Sequence, residues 1–259
     1  MNMKFRFSRA SKHTNANSAR MYFVLLAFVL TAILFAGGRS QFVRAFSDPA
    51  FGQGADPAQV AANFKANAQA LKSFTHQQRM QLQLKGDTKK VTLSQITYDM
   101  NGNQQKTLIS EQPSPADAQP SGGRLKQRIV AKKTDEFKQM MEDIRTLVMS
   151  YTELPPDQLK AAVQKGSVKL GQGDMNGAIE IDMTGVIQPG DSLTFWIDRT
   201  ALLFRRVAIA TTYEGNPVTA TANYSMLQSG QVYMSQAILN YPAKQVVVEI
   251  DNLNYQRGQ

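Results

Sequence analysis

The feature that most constrains the fold is a long series of segments in which apolar and polar residues alternate. In residues 74–85, Met80, Leu82 and Leu84 share one parity, and polar side chains occupy the other. A period of two is typical of a half-buried strand. About ten such segments follow one another, mostly through short turns such as residues 101–103 (Asn-Gly-Asn). Long alternating strands with hairpin links favour an antiparallel sheet.

Three further segments have helical periodicity. Asp56-Pro57 is typical of a helix start, and Pro155-Pro156 begins a shorter helix. Between them, Thr134 is predicted to cap an amphipathic helix that ends near Tyr151, whereas residues 124–133 fit strand and helix equally. Three helices are too few to cover both faces of such a sheet. The predicted class is α+β: one strongly curved antiparallel sheet of about ten strands, a half-barrel, with helices packed on its concave side.

An apolar run precedes this domain. Residues 21–36 carry no charge, and with Gly37 and Gly38 the run reaches 18 residues, about the lower limit for a membrane-spanning helix. Five basic residues and no acidic one lie before it, which places the N-terminus in the cytoplasm. The sequence thus predicts a single-pass protein of the inner (cytoplasmic) membrane, with a periplasmic or extracellular C-terminal domain.

Two alternatives for this run stay open. Val43-Arg44-Ala45 offers small residues at the spacing of a signal-peptidase site, so the run could be a cleaved signal peptide. It could also be a buried helix of a soluble domain. With the run retained, the chain divides into a cytoplasmic basic tail (1–20), a transmembrane anchor or uncleaved signal (21–38), a tether (39–56) and an extracytoplasmic half-barrel domain (57–259).

Composition narrows the partners and the chemistry. The chain has a net charge of +9, but beyond the apolar run 24 basic residues face 20 acidic ones, so nothing favours a nucleic-acid partner. The absence of cysteine excludes disulfides, zinc thiolates and a lipid attached at cysteine. No metal site and no cofactor is predicted, because His76 stands without a carboxylate cluster nearby in sequence.

One motif suggests an enzyme. Gly190-Asp191-Ser192-Leu193 spells the block of GDSL hydrolases, in which the serine needs a histidine as its base. The exported part has one histidine, His76, and it lies upstream on a predicted strand. The alternative is a Pro-Gly-Asp hairpin turn that leads into a strand. The serine-hydrolase interpretation is the least favoured, and we expect no enzymatic activity.

A local pattern and the order of elements point to a family. Residues 195–200 (FWIDRT) and 203–207 (LFRRV) describe a strand that ends in Trp-Ile-Asp, turns tightly and returns as the next strand. Together with the order helix, strand meander, helical insertion and longer strand series, this resembles the lipoprotein-carrier superfamily of LolA/LolB-like and RseB-like proteins. The resemblance covers about residues 57–253. It implies a curved sheet whose concave side is closed by helices and binds apolar ligands.

The functional hypothesis follows from these patterns. We expect a membrane-anchored binding domain for a lipid or for the acyl chain of a lipoprotein, acting in envelope lipid or lipoprotein handling. Methionine suits surfaces that accept varied apolar ligands. The predicted cavity residues are Met80, Leu82, Leu84, Met140, Met141, Ile144, Ile181 and Phe195. The alternative is a non-carrier sensor or protein-interaction domain in which the same residues form a filled core.

Overall fold

A computed structural model describes residues 57–113, 124–152 and 154–258. Three α-helices lie in these ranges: α1 (Pro57–Leu71), α2 (Arg124–Ser150) and α3 (Pro156–Lys165). The predicted tail, anchor and tether fall outside the described residues, so those domain boundaries stay predictions. Within the described ranges, no helix has both the length and the apolar character needed to cross a membrane.

The same ranges contain ten strands. They are β1 (Phe74–Leu84), β2 (Asp87–Tyr98), β3 (Gln104–Pro113), β4 (Ser167–Leu170), β5 (Ala178–Thr184), β6 (Ser192–Asp198), β7 (Phe204–Tyr213), β8 (Asn216–Met226), β9 (Val232–Tyr241) and β10 (Val246–Arg257). Short 3-10 turns occupy Gly173–Met175 and Pro242–Lys244. The prediction of an α+β chain with about ten strands is confirmed.

All ten strands belong to one open antiparallel sheet with the order β3-β2-β1-β10-β9-β8-β7-β6-β5-β4. Almost every neighbour in this order is also a neighbour in sequence, as expected for hairpins. The exception is β1, which pairs with the last strand and sets Gln78 opposite Asn252. The sheet is not closed, because β3 and β4 form its two edges. The strong curvature of a half-barrel stays a prediction.

The sheet has a buried inner face and a more exposed outer face, and β6 shows the difference. Leu193, Phe195 and Ile197 are buried, whereas Thr194 and Trp196 between them are only half-buried. The same alternation runs along β1, β9 and β10. The inner face therefore carries the hydrophobic core, and the helices that cover it pack on this one side.

Helix α1 is attached to the inner face by an aromatic contact and an amide. The Phe64 ring lies 4.5 Å from the ring of Phe204 on β7, centre to centre. Asn67 is buried, and its side chain both donates to the Val232 carbonyl and accepts from the Val232 amide, each at 2.7 Å. This pair satisfies two backbone groups at the first residue of β9.

Helix α2 begins ten residues earlier than the sequence predicts. Thr134 is not its N-cap but an interior residue, since the helix is continuous from Arg124. Residues 124–133 are rich in Arg, Lys, Gln and Leu, which are good helix formers and offer no stop signal. Described side chains from 132 to 136 are exposed, whereas Met141, Ile144, Val148 and Tyr151 are buried. The helix thus packs on the sheet through its C-terminal half.

Candidate functional site

The structure brings all eight predicted cavity residues into one apolar cluster between α2 and the inner face. Six of them are buried in its centre: Met80, Leu82, Met141, Ile144, Ile181 and Phe195. The other two, Leu84 and Met140, are partly buried and pack against it. The eight residues come from β1, α2, β5 and β6, and the cluster that contains them also includes buried residues of β7 to β10.

A polar network holds the C-terminal end of α2 to the sheet. The Tyr151 hydroxyl donates to the Asp191 carboxylate at 2.6 Å and lies 2.7 Å from the Thr211 hydroxyl on β7. The same carboxylate accepts the backbone amides of residues 186–188 at 2.6, 2.9 and 2.8 Å. Burial by itself raises the pKa of Asp191, but the hydrogen bonds from Tyr151 and these amides outweigh it and hold the pKa below its usual value.

A second polar contact lies halfway along the buried part of α2. The Tyr213 hydroxyl on β7 donates to the Asp143 carboxylate at 3.1 Å. Towards the N-terminus Phe137 is only partly buried, and Ile129 is 50% exposed. A helix of 27 residues is about 40 Å long. Helix α2 is therefore fixed at its C-terminal end, while its described N-terminal side chains extend into solvent.

The serine and the histidine of the hydrolase hypothesis lie far apart. Ser192 begins β6 with its side chain on the outer face, whereas His76 lies on the inner face of β1. Four strands separate β1 from β6, a span of about 24 Å along the sheet. Ser192 and His76 therefore form no Ser-His pair. Asp191 of the same motif has a structural role, since its carboxylate organises the loop before β6.

A polar section interrupts the inner face near the β3 edge. Gln78 on β1 is 1% exposed, and its amide donates to the Asn252 side chain on β10 at 3.1 Å. Lys106 on β3 donates to the Gln78 carbonyl oxygen at 2.7 Å. Asn252 in turn donates to the Met234 carbonyl at 2.8 Å. Burial lowers the pKa of Lys106 to about 8.

His76 lies next to this section and is 2% exposed. Its ring stacks on Tyr255 of β10 at 4.4 Å between centres. Within the described part of the chain, neither ring nitrogen has a hydrogen-bond partner of acceptable geometry. Burial lowers the pKa of His76 to about 4; proximity to Asn252 opposes this shift, and the charge of Lys106 adds to it. The imidazole is therefore neutral at pH 7.

Sequence reasoning missed this polar section. The alternation along β1 places His76 and Gln78 on the same face as Met80, and this pattern could have indicated that two polar side chains lie on the inner face. The partners were not predictable locally, because Asn252 is 174 residues from Gln78 and Lys106 is on the edge strand. On β2 the inward side chains include the polar Thr92 and Ser94, which are buried.

The outer face carries a separate open cleft of about 290 Å³ around the single tryptophan. Trp196 donates through its indole nitrogen to Glu180 at 3.0 Å, and Lys169 lies 3.0 Å from the same carboxylate. The guanidinium of Arg206 lies 5.8 Å from the Trp196 ring centre and 2.8 Å from Asp174. These four charged side chains satisfy one another across the cleft.

The described ranges contain no group of three or more His, Cys, Asp or Glu side chains that could hold a metal ion. The described residues form instead a broad apolar surface on the inner face. The polar section around Gln78, Lys106 and Asn252 borders this surface as a positively charged margin. An apolar surface of this kind can accept a hydrocarbon chain, and the margin can contact a polar group attached to it.

Comparison with known proteins gives distant structural similarity. A LolA superfamily protein from Nitrosomonas europaea matches with 8% identity and a TM-score of 0.31, over 74% of this chain and 93% of its own. A domain described as an outer membrane lipoprotein-sorting protein domain, from Vibrio parahaemolyticus, matches with 9% identity and a TM-score of 0.34, over 76% and 90%. A DUF1329 family protein from Desulfovibrio piger matches with 9% identity and a TM-score of 0.31, over 76% and 92%.

No protein-family model and no curated protein sequence matches this chain. The similarity to the LolA superfamily that the sequence predicts is recovered by structure comparison, at low identity and low TM-score.

Proposed function

We propose that this chain is a membrane-tethered extracytoplasmic domain that binds the acyl chain of a lipid or lipoprotein between α2 and the inner face of the sheet. In this proposal residues 21–38 are the membrane anchor and residues 39–56 the tether, and the domain acts in lipid or lipoprotein handling at the surface of the inner membrane. No catalytic step is part of it.

The attachment of α2 is the observation that carries the proposal. The helix is fixed near Tyr151 by the Asp191 network, and its described N-terminal side chains are exposed. Between Phe137 and Val148 the helix is held only by apolar contacts and by the Tyr213–Asp143 hydrogen bond, so within the described residues this part can lift from the sheet without breaking any strand pairing. The buried residues of the helix belong to the same apolar cluster as Met80, Ile181 and Phe195.

The energetics favour such binding once the helix lifts. Each buried methylene contributes about 0.8 kcal/mol, so eight methylenes of an acyl chain contribute about 6 kcal/mol before the costs of ordering. Met80, Met140 and Met141 lie in or against the cluster, and their unbranched side chains can repack around a guest. The same residues close the core when no ligand is bound.

A second function is favoured by a specific observation. Ile144 on α2 and Ile181 on β5 are both 0% exposed, as in a core without room for a ligand. In that case the domain is a sensor or protein-interaction module, and its partner contacts the outside of the domain. The two functions differ in whether an acyl chain reaches the inner face.

Photoaffinity labelling can distinguish acyl-chain binding from the function as a sensor or protein-interaction module. The full chain in phosphatidylcholine vesicles is irradiated with a palmitate that carries a diazirine on its chain, and labelled peptides are mapped by mass spectrometry. We expect labelling of residues 74–84 and 137–148 that excess unlabelled palmitate suppresses. The exposed Met226 on β8, 59% exposed, provides an internal control that should remain unlabelled. Labelling confined to residues 21–38, or labelling without competition, would contradict acyl binding by the domain.

A further inference from the structure

We infer that Lys106 binds the anionic head of the ligand, a carboxylate or a phosphate, at the β3 edge of the inner face. This inference rests on the proposed function and specifies its ligand as an amphipathic molecule with a negatively charged head. The argument depends on the position of Lys106, on its hydrogen-bond partners and on the surfaces to either side of it.

Lys106 lies on the inner face in line with buried side chains. It is directly opposite Ile96 on β2, and Ile96 is opposite His76 on β1. Ile96 is fully buried, so the three side chains form a row that runs inward from the edge strand. Lys106 itself is half-buried, and Leu108, two residues along β3 on the same face, is 50% exposed. Solvent therefore reaches the row from the β3 side.

The ammonium group lacks a counter-ion in the described ranges. No carboxylate there lies within 4.0 Å of Lys106, whereas Lys90, farther along the same strand pair, is paired with Glu111 at 3.0 Å. Lys106 donates to the neutral oxygen of Gln78 at 2.7 Å instead. A partly desolvated cation with a neutral partner gains most from an added anion, because charge-assisted hydrogen bonds are shorter and stronger than neutral ones.

The surroundings extend the polar margin. His76 is buried, and among the described residues neither of its ring nitrogens has a hydrogen-bond partner; Gln78 and Asn252 hold each other in place. A neutral imidazole can donate one further hydrogen bond to a head-group oxygen. The row thus offers a fixed cation and an unused donor, and no negatively charged side chain takes part in it.

The apolar surface continues from this margin. Met80 is two residues beyond Gln78 on the same face of β1, a step of about 7 Å. Ile250 is opposite Met80 on β10, and both are buried in the apolar cluster. A ligand whose head contacts Lys106 would direct its chain over Met80 towards the region beneath α2. Head and tail sites are therefore adjacent and in the order that an amphipathic molecule requires.

The test compares three diazirine probes that share one acyl chain and differ in the head: a fatty acid, a lysophosphatidate and a neutral monoacylglycerol. The full chain in phosphatidylcholine vesicles is labelled with each probe at neutral pH. We expect at least one anionic probe to label the inner-face peptides about tenfold more than the neutral probe, as one charge-assisted hydrogen bond allows. The stronger of the two anionic probes identifies the head as carboxylate or phosphate.

Variants assign the preference to Lys106. Lys106→Met should abolish the preference for anionic probes, while the neutral probe still labels the inner-face peptides. Lys106→Arg should retain the preference because the positive charge remains. Lys85→Met, in the exposed turn after β1, should behave as wild type. Equal labelling by all three probes, or a preference that survives in Lys106→Met, would overturn the head-group site and leave acyl binding standing. Absence of inner-face labelling with every probe would instead overturn the proposed function.

Discussion

The Tyr151 hydroxyl, at the end of α2, donates a hydrogen bond to the buried Asp191 carboxylate at 2.6 Å. This bond joins the helix that covers the inner face to the loop that precedes β6. Burial raises the pKa of Tyr151 to about 12, and its bond to Asp191 adds to this shift, so the phenol remains a donor throughout the physiological range. The charged acceptor makes the bond stronger than a neutral one.

Replacing this tyrosine should loosen α2 without disturbing the sheet. Tyr151→Phe removes the donor to a carboxylate, and we expect the free energy of unfolding to fall by about 2 kcal/mol. Amide hydrogen exchange in residues 141–151 should rise. Tyr213→Phe is the matched control, since its partly buried bond to Asp143 should matter less. Unchanged exchange in α2 of Tyr151→Phe would show that the network does not hold the helix.

Asp191 should be more important for stability than its neighbour in the hydrolase-like motif. Asp191→Asn removes the charge and turns an amide group towards backbone donors that need acceptors, so we expect a loss of about 2–4 kcal/mol. Ser192→Ala, on the outer face, should cost less than about 0.5 kcal/mol. Urea unfolding followed by Trp196 fluorescence measures both. Equal stabilities of the two variants would contradict the structural role of the carboxylate.

The contact of Asn67 with Val232 gives a similar comparison on α1. Asn67→Leu leaves the Val232 amide and carbonyl without partners, and the expected loss is about 2–4 kcal/mol. Gln69→Leu changes an exposed residue of the same helix and should leave the unfolding midpoint within experimental error. The same urea titration checks both. A midpoint for Asn67→Leu that matches Gln69→Leu would mean that α1 is not held by this amide pair.

His76 should make stability depend on pH between about 4 and 6.5. Its pKa is about 4 in the folded chain and 6.5 when exposed, so within this window the unfolded state binds more protons. Stability therefore falls as the pH is lowered through the window, by about 3 kcal/mol in total. Asp99 and Asp191 have lowered pKa values, so their contribution to stability is lost mainly below about pH 4.

His76→Phe tests this dependence, because phenylalanine can keep the stack on Tyr255 and does not titrate. The variant should lose most of the slope between pH 4 and 6.5. At pH 7 its stability should equal or exceed that of the wild type, since the replaced nitrogens have no hydrogen-bond partner in the described part of the chain. The charged or titratable neighbours Lys106, Tyr98 and Tyr255 do not change charge in this window. An unchanged slope in His76→Phe would assign the pH dependence to other groups.

Local sequence patterns predict most of the elements but not their long-range partners. Alternation along β1 and β6 and the turn at residues 101–103 depend on neighbouring residues, and the structure has strands and turns there. The pairing of β1 with β10 joins residues that are 162 to 183 positions apart, so no local pattern predicts it. The predicted start of α2 at Thr134 is wrong. Thr134 has the chemistry of an N-cap, but the residues before it are also helical.

The same distinction applies to the site. Parity and helical period are sufficient to place the eight apolar residues on one side, and the structure brings them together. The polar residues around Lys106 meet only when four strands, β3, β2, β1 and β10, lie side by side. Lys106 and Asn252 are separated from Gln78 by the β-meander and by most of the chain, respectively. Sequence therefore predicts the apolar surface and leaves its polar margin to the fold.

The central claim is that an acyl chain lies between α2 and the inner face. A crystal structure of the chain with bound palmitate tests it most directly. The account predicts the hydrocarbon tail in van der Waals contact with Met80, Met141 and Phe195, with α2 displaced from its present position and the carboxylate near Lys106. A saturating ligand that binds elsewhere, with these side chains packed together as they are now, would contradict it.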